Sequence, residues 1–415
     1  MKKLTFLFIV LASSLLCYAQ NPQWAIYNMS NSGLPYNYVN SIAIDGSGTK
    51  WIGTWVVGAT NAGGLAKFDG TNWTVYNKSN SNLPNDTISS IAIEGNGTKW
   101  IATAGGLAKF DGTNWTVYDT TNSGLPDNSV NSIAIEGNGA KWIGTWGGGL
   151  AKFDGTNWTV YNTTNSGLPD NYVESIDIDG NGNKWIGTLR GGLAQFDGTN
   201  WTVYNNSNSG LPYNWIFSIA IDESVNKWIA TGDGLTKFDG TNWTVYNTKN
   251  SDLPGNNVWS IAIDGSDTKW IGTWGGGIAK FDGTNWTVYN TTNSDLPGND
   301  VWSIALDKNG TKWIGTGYGL AAFNENGLPS DVKENMLSNY NVSVFPNHAS
   351  DYLKIEQSEA NISYAEIINL QGQVIKTQRI LGNQCTLNLT NVSAGVYILK
   401  LYTNNGFVVK KLIKQ

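Results

Sequence analysis

Residues 130–162 read VNSIAIEGNGAKWIGTWGGGLAKFDGTNWTVYN, and the fold of most of the chain follows from this stretch. Glycine-rich segments divide it into four short runs of β-branched and aromatic residues, which run from Val130 to Ile135, Lys141 to Thr145, Gly149 to Phe153 and Trp158 to Asn162. The glycines supply the positive φ angles that tight turns between strands require. Four antiparallel strands in a unit of this length are typical of one blade of a β-propeller.

The same unit recurs along the chain. The string Lys-Trp-Ile-Gly/Ala-Thr occurs seven times, with its tryptophan at Trp51, Trp100, Trp142, Trp185, Trp228, Trp270 and Trp313. The spacings are 49, 42, 43, 43, 42 and 43, and a six-residue insertion after Thr54 accounts for the long first period. The pattern ends at Phe323, one outer strand short, and the missing copy is Trp24-Ala-Ile-Tyr-Asn28 at the N-terminus. We therefore predict an all-β, seven-bladed β-propeller over residues 20–323, closed by this N-terminal strand.

The two ends of the chain have other signatures. Lys2 and Lys3 precede an apolar stretch that ends at Leu16 and is too short to span a membrane, which predicts a signal peptide over residues 1–19. Residues 324–340 are polar and have no strand pattern, so we interpret them as a linker. Residues 341–415 contain about seven short alternating runs, which predicts a small Ig-like β-sandwich.

Composition argues against several classes of function. Charged residues make up 14% of the chain and the formal net charge is -6, which disfavours a nucleic-acid partner. The single histidine, His348, and both cysteines lie outside the propeller, so zinc sites and histidine-assisted nucleophiles are excluded there. The repeated Asp-Gly turns offer too few oxygen ligands for calcium. We predict no metal, no cofactor and no transmembrane helix in the mature chain.

One pair of carboxylates keeps an enzymatic alternative open. Glu174 and Asp177 lie in the first strand of the fourth blade, and Asp177 stands where the other six blades have alanine. Two acids are the minimum that glycoside hydrolysis needs. Residues three apart on a regular strand point to opposite faces, and nothing in the sequence indicates a bulge. We therefore expect both acids simply to be solvated at a central channel, and we predict no catalytic residue.

The repeats differ most where extra aromatic residues occur. Fourteen of the 20 tryptophans belong to the repeated strands and are expected in the core, and two others, Trp259 and Trp302, are expected to fill gaps between blades. The remaining variable residues fall in two loop classes that up-and-down connectivity brings to one face of the ring. The residues predicted to bind a ligand there are Trp55, Trp146, Trp274, Trp215, Tyr38, Tyr172 and Arg190.

The repeat resembles that of two-component-regulator propellers. The element Asp45-Gly-Ser-Gly-Thr-Lys-Trp51-Ile-Gly-Thr54 carries the resemblance, which recurs seven times between residues 24 and 323. In that family such propellers often form the glycan-detecting sensor portion of membrane-bound histidine kinases. This chain has no transmembrane helix after the propeller and no kinase segment, so the resemblance implies the fold and a binding role.

The C-terminal region resembles a second family. Phe345-Pro-Asn-His-Ala-Ser-Asp351, Asn369-Leu-Gln-Gly-Gln-Val374, Ala394-Gly-Val-Tyr-Ile-Leu399 and the terminal Lys-Lys-Leu-Ile-Lys are similar to a type A sorting domain of type IX secretion. This implies a Bacteroidota-type envelope, the type IX machinery as a partner of residues 341–415, and a secreted or outer-surface location. We therefore expect a non-catalytic binding module for a glycan or a surface protein. The alternative is a polysaccharide-active enzyme, a glycosidase or lyase, using acidic residues of the propeller.

Overall fold

A computed structural model describes residues 23–56, 63–328, 342–346, 348–357, 362–369, 373–380, 384–403 and 406–415. The predicted signal peptide lies outside this part of the chain, as does most of the predicted linker. The chain divides into two compact units, one of them Pro22–Leu328 and the other containing the described residues from 342 onward. No helix that is both long and apolar enough to cross a membrane occurs among the described residues.

The first unit is a ring of seven four-stranded antiparallel sheets, as predicted. The innermost strands are β2 (Val39–Ile44), β6 (Ile88–Ile93), β10 (Val130–Ile135), β14 (Val173–Ile178), β18 (Ile216–Ile221), β22 (Val258–Ile263) and β26 (Val301–Leu306). The second strands are β3 (Lys50–Thr54), β7 (Lys99–Thr103), β11 (Lys141–Thr145), β15 (Lys184–Thr188), β19 (Lys227–Thr231), β23 (Lys269–Thr273) and β27 (Lys312–Thr316).

The two outer strands of each blade complete the sheets. The third strands are β4 (Leu65–Phe68), β8 (Gly106–Phe110), β12 (Leu150–Phe153), β16 (Leu193–Phe196), β20 (Gly234–Phe238), β24 (Gly277–Phe281) and β28 (Gly319–Phe323). The outermost strands are β5 (Trp73–Tyr76), β9 (Trp115–Tyr118), β13 (Trp158–Tyr161), β17 (Trp201–Tyr204), β21 (Trp243–Tyr246), β25 (Trp286–Tyr289) and, for the seventh blade, β1 (Trp24–Tyr27).

The ring is closed by its N-terminal strand. Strand β1 pairs antiparallel with β28, with Trp24 opposite Phe323, and the two rings stack with their centroids 4.2 Å apart. This pairing gives the seventh blade its outer strand from the other end of the propeller segment, so no blade is left with an unpaired third strand. The prediction of closure by the N-terminal strand is confirmed.

Each blade packs on the next through a repeated tryptophan–lysine–carboxylate contact. Trp100 is buried and its Nε1 donates to Glu94 at 3.0 Å. Lys141 of the following blade lies 4.7 Å above the Trp100 ring and pairs with Glu94 at 2.5 Å. Lys50 lies in the same way over Trp313 of the last blade, at 4.5 Å. A lysine can be buried here because the ring face and the carboxylate together replace water around its ammonium group.

A β-bulge interrupts every innermost strand after its first residue. The extra residue of each bulge is Asn40, Ser89, Asn131, Glu174, Phe217, Trp259 or Trp302, and we call these seven the axial ring. Members from successive blades contact one another: Asn131 donates to Glu174 at 3.3 Å, and Phe217 stacks on Trp259 at 4.1 Å. The bulge turns one side chain per blade away from the inter-blade core and toward the centre of the ring.

The second unit contains two sheets that share one core. Strands β29 (Val342–Phe345), β31 (Tyr352–Gln357) and β34 (Gln384–Asn388) form the smaller sheet. The larger contains β30 (His348–Ala349), β36 (Gly406–Lys414), β35 (Gly395–Thr403), β32 (Ile362–Ile368) and β33 (Val374–Arg379). Leu353 and Leu387 of the first sheet are buried with Ala365 and Leu399 of the second, which confirms the predicted Ig-like sandwich.

Candidate ligand-binding face

Hydrogen bonds join the two variable loop classes on one side of the propeller. The amide of Trp55 donates to the Tyr38 carbonyl at 2.9 Å, and that of Trp274 donates to the Asn257 carbonyl at 2.9 Å. Each bond ties the loop after a second strand to the segment that enters the innermost strand of the same blade. We call this side the loop face. It carries all seven residues that were predicted to bind a ligand.

These seven residues differ in exposure and in neighbours. The side chains of Trp55, Trp146 and Trp274 are 40%, 43% and 54% exposed. Arg190 is also exposed, whereas Tyr38, Tyr172 and Trp215 are half-buried. The structure gathers six of them into three groups around the ring and leaves Trp55 at the start of the insertion, most of which is not among the described residues.

The largest group is an aromatic arc formed by Trp215, Phe217, Trp259, Trp302, Tyr38 and Trp274. Ring centroids lie 4.8 Å apart for Trp215–Phe217, 4.1 Å for Phe217–Trp259, 4.5 Å for Trp259–Trp302 and 4.9 Å for Trp302–Tyr38. Trp274 lies over this row, 6.1 Å from Trp259 and 6.3 Å from Trp302. The arc therefore spans four adjacent blades.

Two members of the arc correct the sequence interpretation, and a third was missed. Trp259 and Trp302 were expected to fill gaps between blades, but both are bulge residues of the axial ring. Phe217 is the third, because a phenylalanine in a predicted strand is ordinarily expected to be a core residue. A signal was available, however, since the second residue of the first strand differs between blades while the residues around it repeat. The bulge hides this signal because it breaks the alternation that sequence reasoning assumes.

Three tryptophans of the arc differ from the second-strand tryptophans in their hydrogen bonding. All seven second-strand tryptophans donate Nε1 to an Asp or Glu of their own blade at 2.9–3.2 Å. By contrast, Nε1 of Trp215, Trp259 and Trp302 is buried without a partner among the described residues, as is Oδ1 of neighbouring Asn257. Unpaired buried polar groups cost stability. Such a local cost is typical of a functional site, where packing is not optimised for stability alone.

A second group lies between the third and fourth blades. The rings of Trp146 and Tyr172 meet edge to face at 5.2 Å, and their backbones form an isolated antiparallel bridge. The pair is thus held by its backbone as well as by ring packing. Trp146 therefore presents its exposed surface from a fixed position.

The third group lines an open cleft of about 350 Å³ between the fourth and fifth blades. Its walls are Leu189, Arg190, Asn206, Tyr213, Asn214 and Trp215. The amide of Arg190 donates to Oδ2 of Asp170 at 2.9 Å, which fixes the loop that carries the arginine. Trp215 thus belongs both to the end of the aromatic arc and to the wall of this cleft.

The carboxylate pair has a different environment from the one expected. A bulge does occur at Val173/Ser175, with Glu174 as its extra residue, so the expectation of a regular strand is wrong. Both side chains are half-buried rather than exposed, and burial raises the pKa of Glu174 to about 7, with Asp170 adding to the effect. Burial likewise raises the pKa of Asp177 to about 6.

The two carboxylates have separate partners. Glu174 accepts from Asn131 in the axial ring, whereas Asp177 accepts from the amide of Ile178 at 2.8 Å and from the backbone of Ile221 in the next blade. The charge that acts on Glu174 is Asp170, and the charge that acts on Asp177 is Asp179. Among the described residues there is also no cluster of three or more His, Cys, Asp or Glu side chains placed to hold a metal ion.

Comparisons with known proteins agree with this architecture. Residues 343–415 match the family model described as a secretion system C-terminal sorting domain, and residues 295–318 match the two component regulator propeller. No curated protein matches this chain by sequence.

Several solved structures are similar in fold. The extracellular domain of a hybrid two-component system from B. thetaiotaomicron is 20% identical with a TM-score of 0.63, the match covering 95% of this chain and 57% of that one. PorZ, a surface component of the type-IX secretion system of Porphyromonas gingivalis, is 18% identical with a TM-score of 0.57, covering 94% and 61%. Virginiamycin B lyase from Staphylococcus aureus is 14% identical with a TM-score of 0.58, covering 72% and 98%.

At these identities the likeness concerns the fold, and the chain spans about three-fifths of the length of the first two proteins. The sorting-domain match is the specific finding, because that domain marks proteins secreted by the type IX system to the cell surface. The chain is thus a secreted or outer-surface protein in which a seven-bladed propeller with the two-component-regulator type of repeat is joined to a C-terminal secretion sorting domain.

Proposed function

We propose that this protein is a non-catalytic binding module whose loop face binds a glycan through the aromatic arc. One observation carries the proposal: the seven second-strand tryptophans all pair their indole N–H groups, whereas those of Trp215, Trp259 and Trp302 are buried without a partner among the described residues. A core that served packing alone would gain stability by pairing these donors or by replacing these residues with phenylalanine. The presence of three such tryptophans in one row of rings favours a role in binding.

The chemistry of the arc suits a sugar. The exposed Trp274 offers a flat apolar surface with a polar edge, the type of surface on which sugar rings stack. Near it lie buried polar atoms without a partner among the described residues, namely donors on Trp259 and Trp302 and an acceptor on Asn257, which a ligand would reach only if the surrounding side chains move. A hydroxyl group both donates and accepts, so a polyhydroxylated ligand matches this combination better than a purely anionic or purely cationic one does.

The surroundings support a binding role at the cell exterior. The sorting domain directs secretion, and two of the similar structures are an extracellular domain of a two-component system and a bacterial surface component. The glycan itself is inferred from the chemistry of the loop face. A surface protein that inserts its own side chains among the same rings is the other ligand class that aromatic anchors serve.

The enzymatic alternative rests on Glu174 and Asp177. Their raised pKa values resemble those of general acids, and a lyase is among the structures with a similar fold. Their partners lie in different surroundings, however, which argues against a pair acting on one glycosidic bond. If cleavage of any glycan is detected, the double change to alanine at these positions should leave it unaltered, and loss of the cleavage would favour the enzyme.

The proposal is tested with the full chain against a panel of soluble and insoluble polysaccharides. Binding is measured by calorimetry or sedimentation, and the supernatants are analysed for new oligosaccharides. Trp274→Ala should weaken binding by about 1–3 kcal/mol, the range expected for an aromatic anchor. Tyr318→Ala is the matched control, because Tyr318 is an exposed aromatic residue of the same face outside the arc. Equal losses in both variants, or binding without any loss in Trp274→Ala, would contradict the role of the arc.

A further inference from the structure

The cleft beside Trp215 contains a positive charge, that of Arg190. Arg190 is one of two arginines in the chain, and the other, Arg379, lies in the second unit. The guanidinium of Arg190 has no ion pair or hydrogen bond among the residues that the structure describes, whereas buried lysines of the scaffold such as Lys141 and Lys184 pair with carboxylates. An arginine held in a cleft without a carboxylate partner from its own chain is available to one from a ligand.

The loop that carries Arg190 is fixed by a hydrogen bond of its backbone. Its backbone amide donates to Asp170, so that carboxylate is engaged with the main chain, and Arg190 lines the same cleft as Trp215. Tyr213, 46% exposed, forms a second aromatic wall. The side chains of Asn206 and Asn214 add amide groups, which bind hydroxyls as donors and acceptors.

Acidic residues of the loop face disfavour a ligand that carries many negative charges. Asp170 and Asp233 lie on loops beside the cleft, and Asp300 lies beside Tyr38 at the far end of the arc. A densely charged polyanion would meet these carboxylates as well as the arginine. A ligand with one carboxylate at the cleft gains a charge-assisted, two-point contact with Arg190 and leaves the acidic part of the face to neutral hydroxyls.

We propose that this cleft is a subsite for a uronic acid residue of the bound glycan, with its carboxylate on Arg190 and its ring against Trp215 and Tyr213. The inference rests on the proposed function, since it names the class of sugar that the loop face binds. A cleft of about 350 Å³ lies at the small end of ligand pockets and is open, which suits one sugar ring within a longer chain.

The test uses the full chain and two series of probes: oligomers of galacturonate and of glucuronate, each with its methyl-esterified form. Esterification removes the charge and keeps the ring and hydroxyls. At pH 7, calorimetry should show at least about tenfold tighter binding of the acid than of the ester in one series, as expected for a charge-assisted contact. Arg190→Gln should abolish this preference, and Arg190→Lys should retain part of it because the charge remains while the planar fork is lost.

The matched control is Lys249→Gln, which removes one positive charge from an exposed residue of the loop that joins the fifth and sixth blades, outside the cleft. It should leave the preference for the acid unchanged, which separates a local contact from the overall charge of the protein. The melting temperature of Arg190→Gln should equal that of the unmodified chain, because Arg190 is exposed.

Three results would overturn the uronic acid subsite: equal affinity for acid and ester, a preference that survives Arg190→Gln, or no binding of either acid series. Binding of neutral glycans that depends on Trp274 but on neither Arg190 nor carboxyl charge would reject the subsite and leave the proposed function intact. Absence of binding to every glycan would reject both. A peptide with a free C-terminal carboxylate is the last probe, and Arg190-dependent binding of that peptide without binding of uronates would assign the cleft to a protein ligand instead.

Discussion

Glu174 provides a prediction in which the pH dependence of folding reports on the centre of the propeller. Its carboxyl group lies in the axial ring, accepts from Asn131, and has a pKa raised by burial, then by Asp170, from 4.5 to about 7. Glu174→Gln keeps the shape and an acceptor for Asn131, and it removes only the titration. The variant should therefore differ from the unmodified protein in a way that depends on pH.

The direction and size of the change in the free energy of unfolding follow from the pKa values of Glu174 in the unfolded and folded states. Below pH 4.5 the group is protonated in both states and costs nothing. Between pH 4.5 and about 7 the unfolded state releases the proton first, so the free energy of unfolding falls as pH rises, and above pH 7 the loss stays constant. The difference of the pKa values corresponds to about 3 kcal/mol. Glu174→Gln should thus match the unmodified protein at pH 4 and exceed its stability by up to about 3 kcal/mol at pH 8.

Denaturant unfolding of both proteins at half-unit steps from pH 4 to pH 8.5 measures this difference. Glu223→Gln is the control, since Glu223 is an exposed turn residue outside the axial ring and its replacement removes one acidic group without changing the centre of the propeller. Parallel stability profiles for Glu174→Gln and the unmodified chain would refute the reasoning, because they would mean that Glu174 is solvated after all. The double variant with Asp177→Asn should show additive effects, whereas strong coupling would indicate a shared proton and favour an acid–base pair.

The remaining predictions concern the aromatic and charged framework. Trp270→Ala should lower the free energy of unfolding by about 3–5 kcal/mol because Trp270 is 0% exposed, and Trp274→Ala, four residues away, should lower it far less, as compared by denaturant unfolding. Lys184→Met should cost about 1–3 kcal/mol at pH 7 because it leaves the half-buried Glu136, 2.9 Å away, without its cation, and restoring neutrality with Glu136→Gln should recover part of the loss. Removal of residues 24–27 should expose β28 as an edge strand and produce dimers or aggregates in size-exclusion chromatography, and a monomer of unchanged stability would contradict closure by β1.

Much of this architecture is readable from the sequence because a propeller repeats its local rules. Each blade carries its own strand pattern, glycine turns and buried tryptophan, so seven copies of Lys-Trp-Ile-Gly/Ala-Thr state the number of blades. The outer-strand sequence occurs six times within the repeats and once at the N-terminus, which predicts that the N-terminal strand closes the ring. The pairing of Trp24 with Phe323 confirms this prediction. These inferences need only the neighbours of a residue along the chain and within one sheet.

The candidate site is a different matter, because it forms where seven blades converge. The bulge that turns Glu174, Phe217, Trp259 and Trp302 into the axial ring has no signature in a single strand. From the sequence alone, Trp259 and Trp302 are therefore expected in the core between blades, and Glu174 is expected to be solvated. The loop face, by contrast, can be located from the sequence, because the residues that differ between repeats fall in loops whose side of the ring follows from the strand connectivity.

Burial and pairing are collective properties, which is why only the tertiary structure decided them. Whether the indole N–H of Trp302 finds an acceptor depends on Tyr38 of the first blade and on Trp259 and Trp274 of the sixth blade, which are far from one another or from Trp302 along the chain. The same holds for the carboxyl of Glu174, since its pKa depends on how much water the converging strands exclude. The sequence by itself determined the repeat, its number and its closure, while the chemistry at the centre of the ring arises from strands brought together by the closure itself.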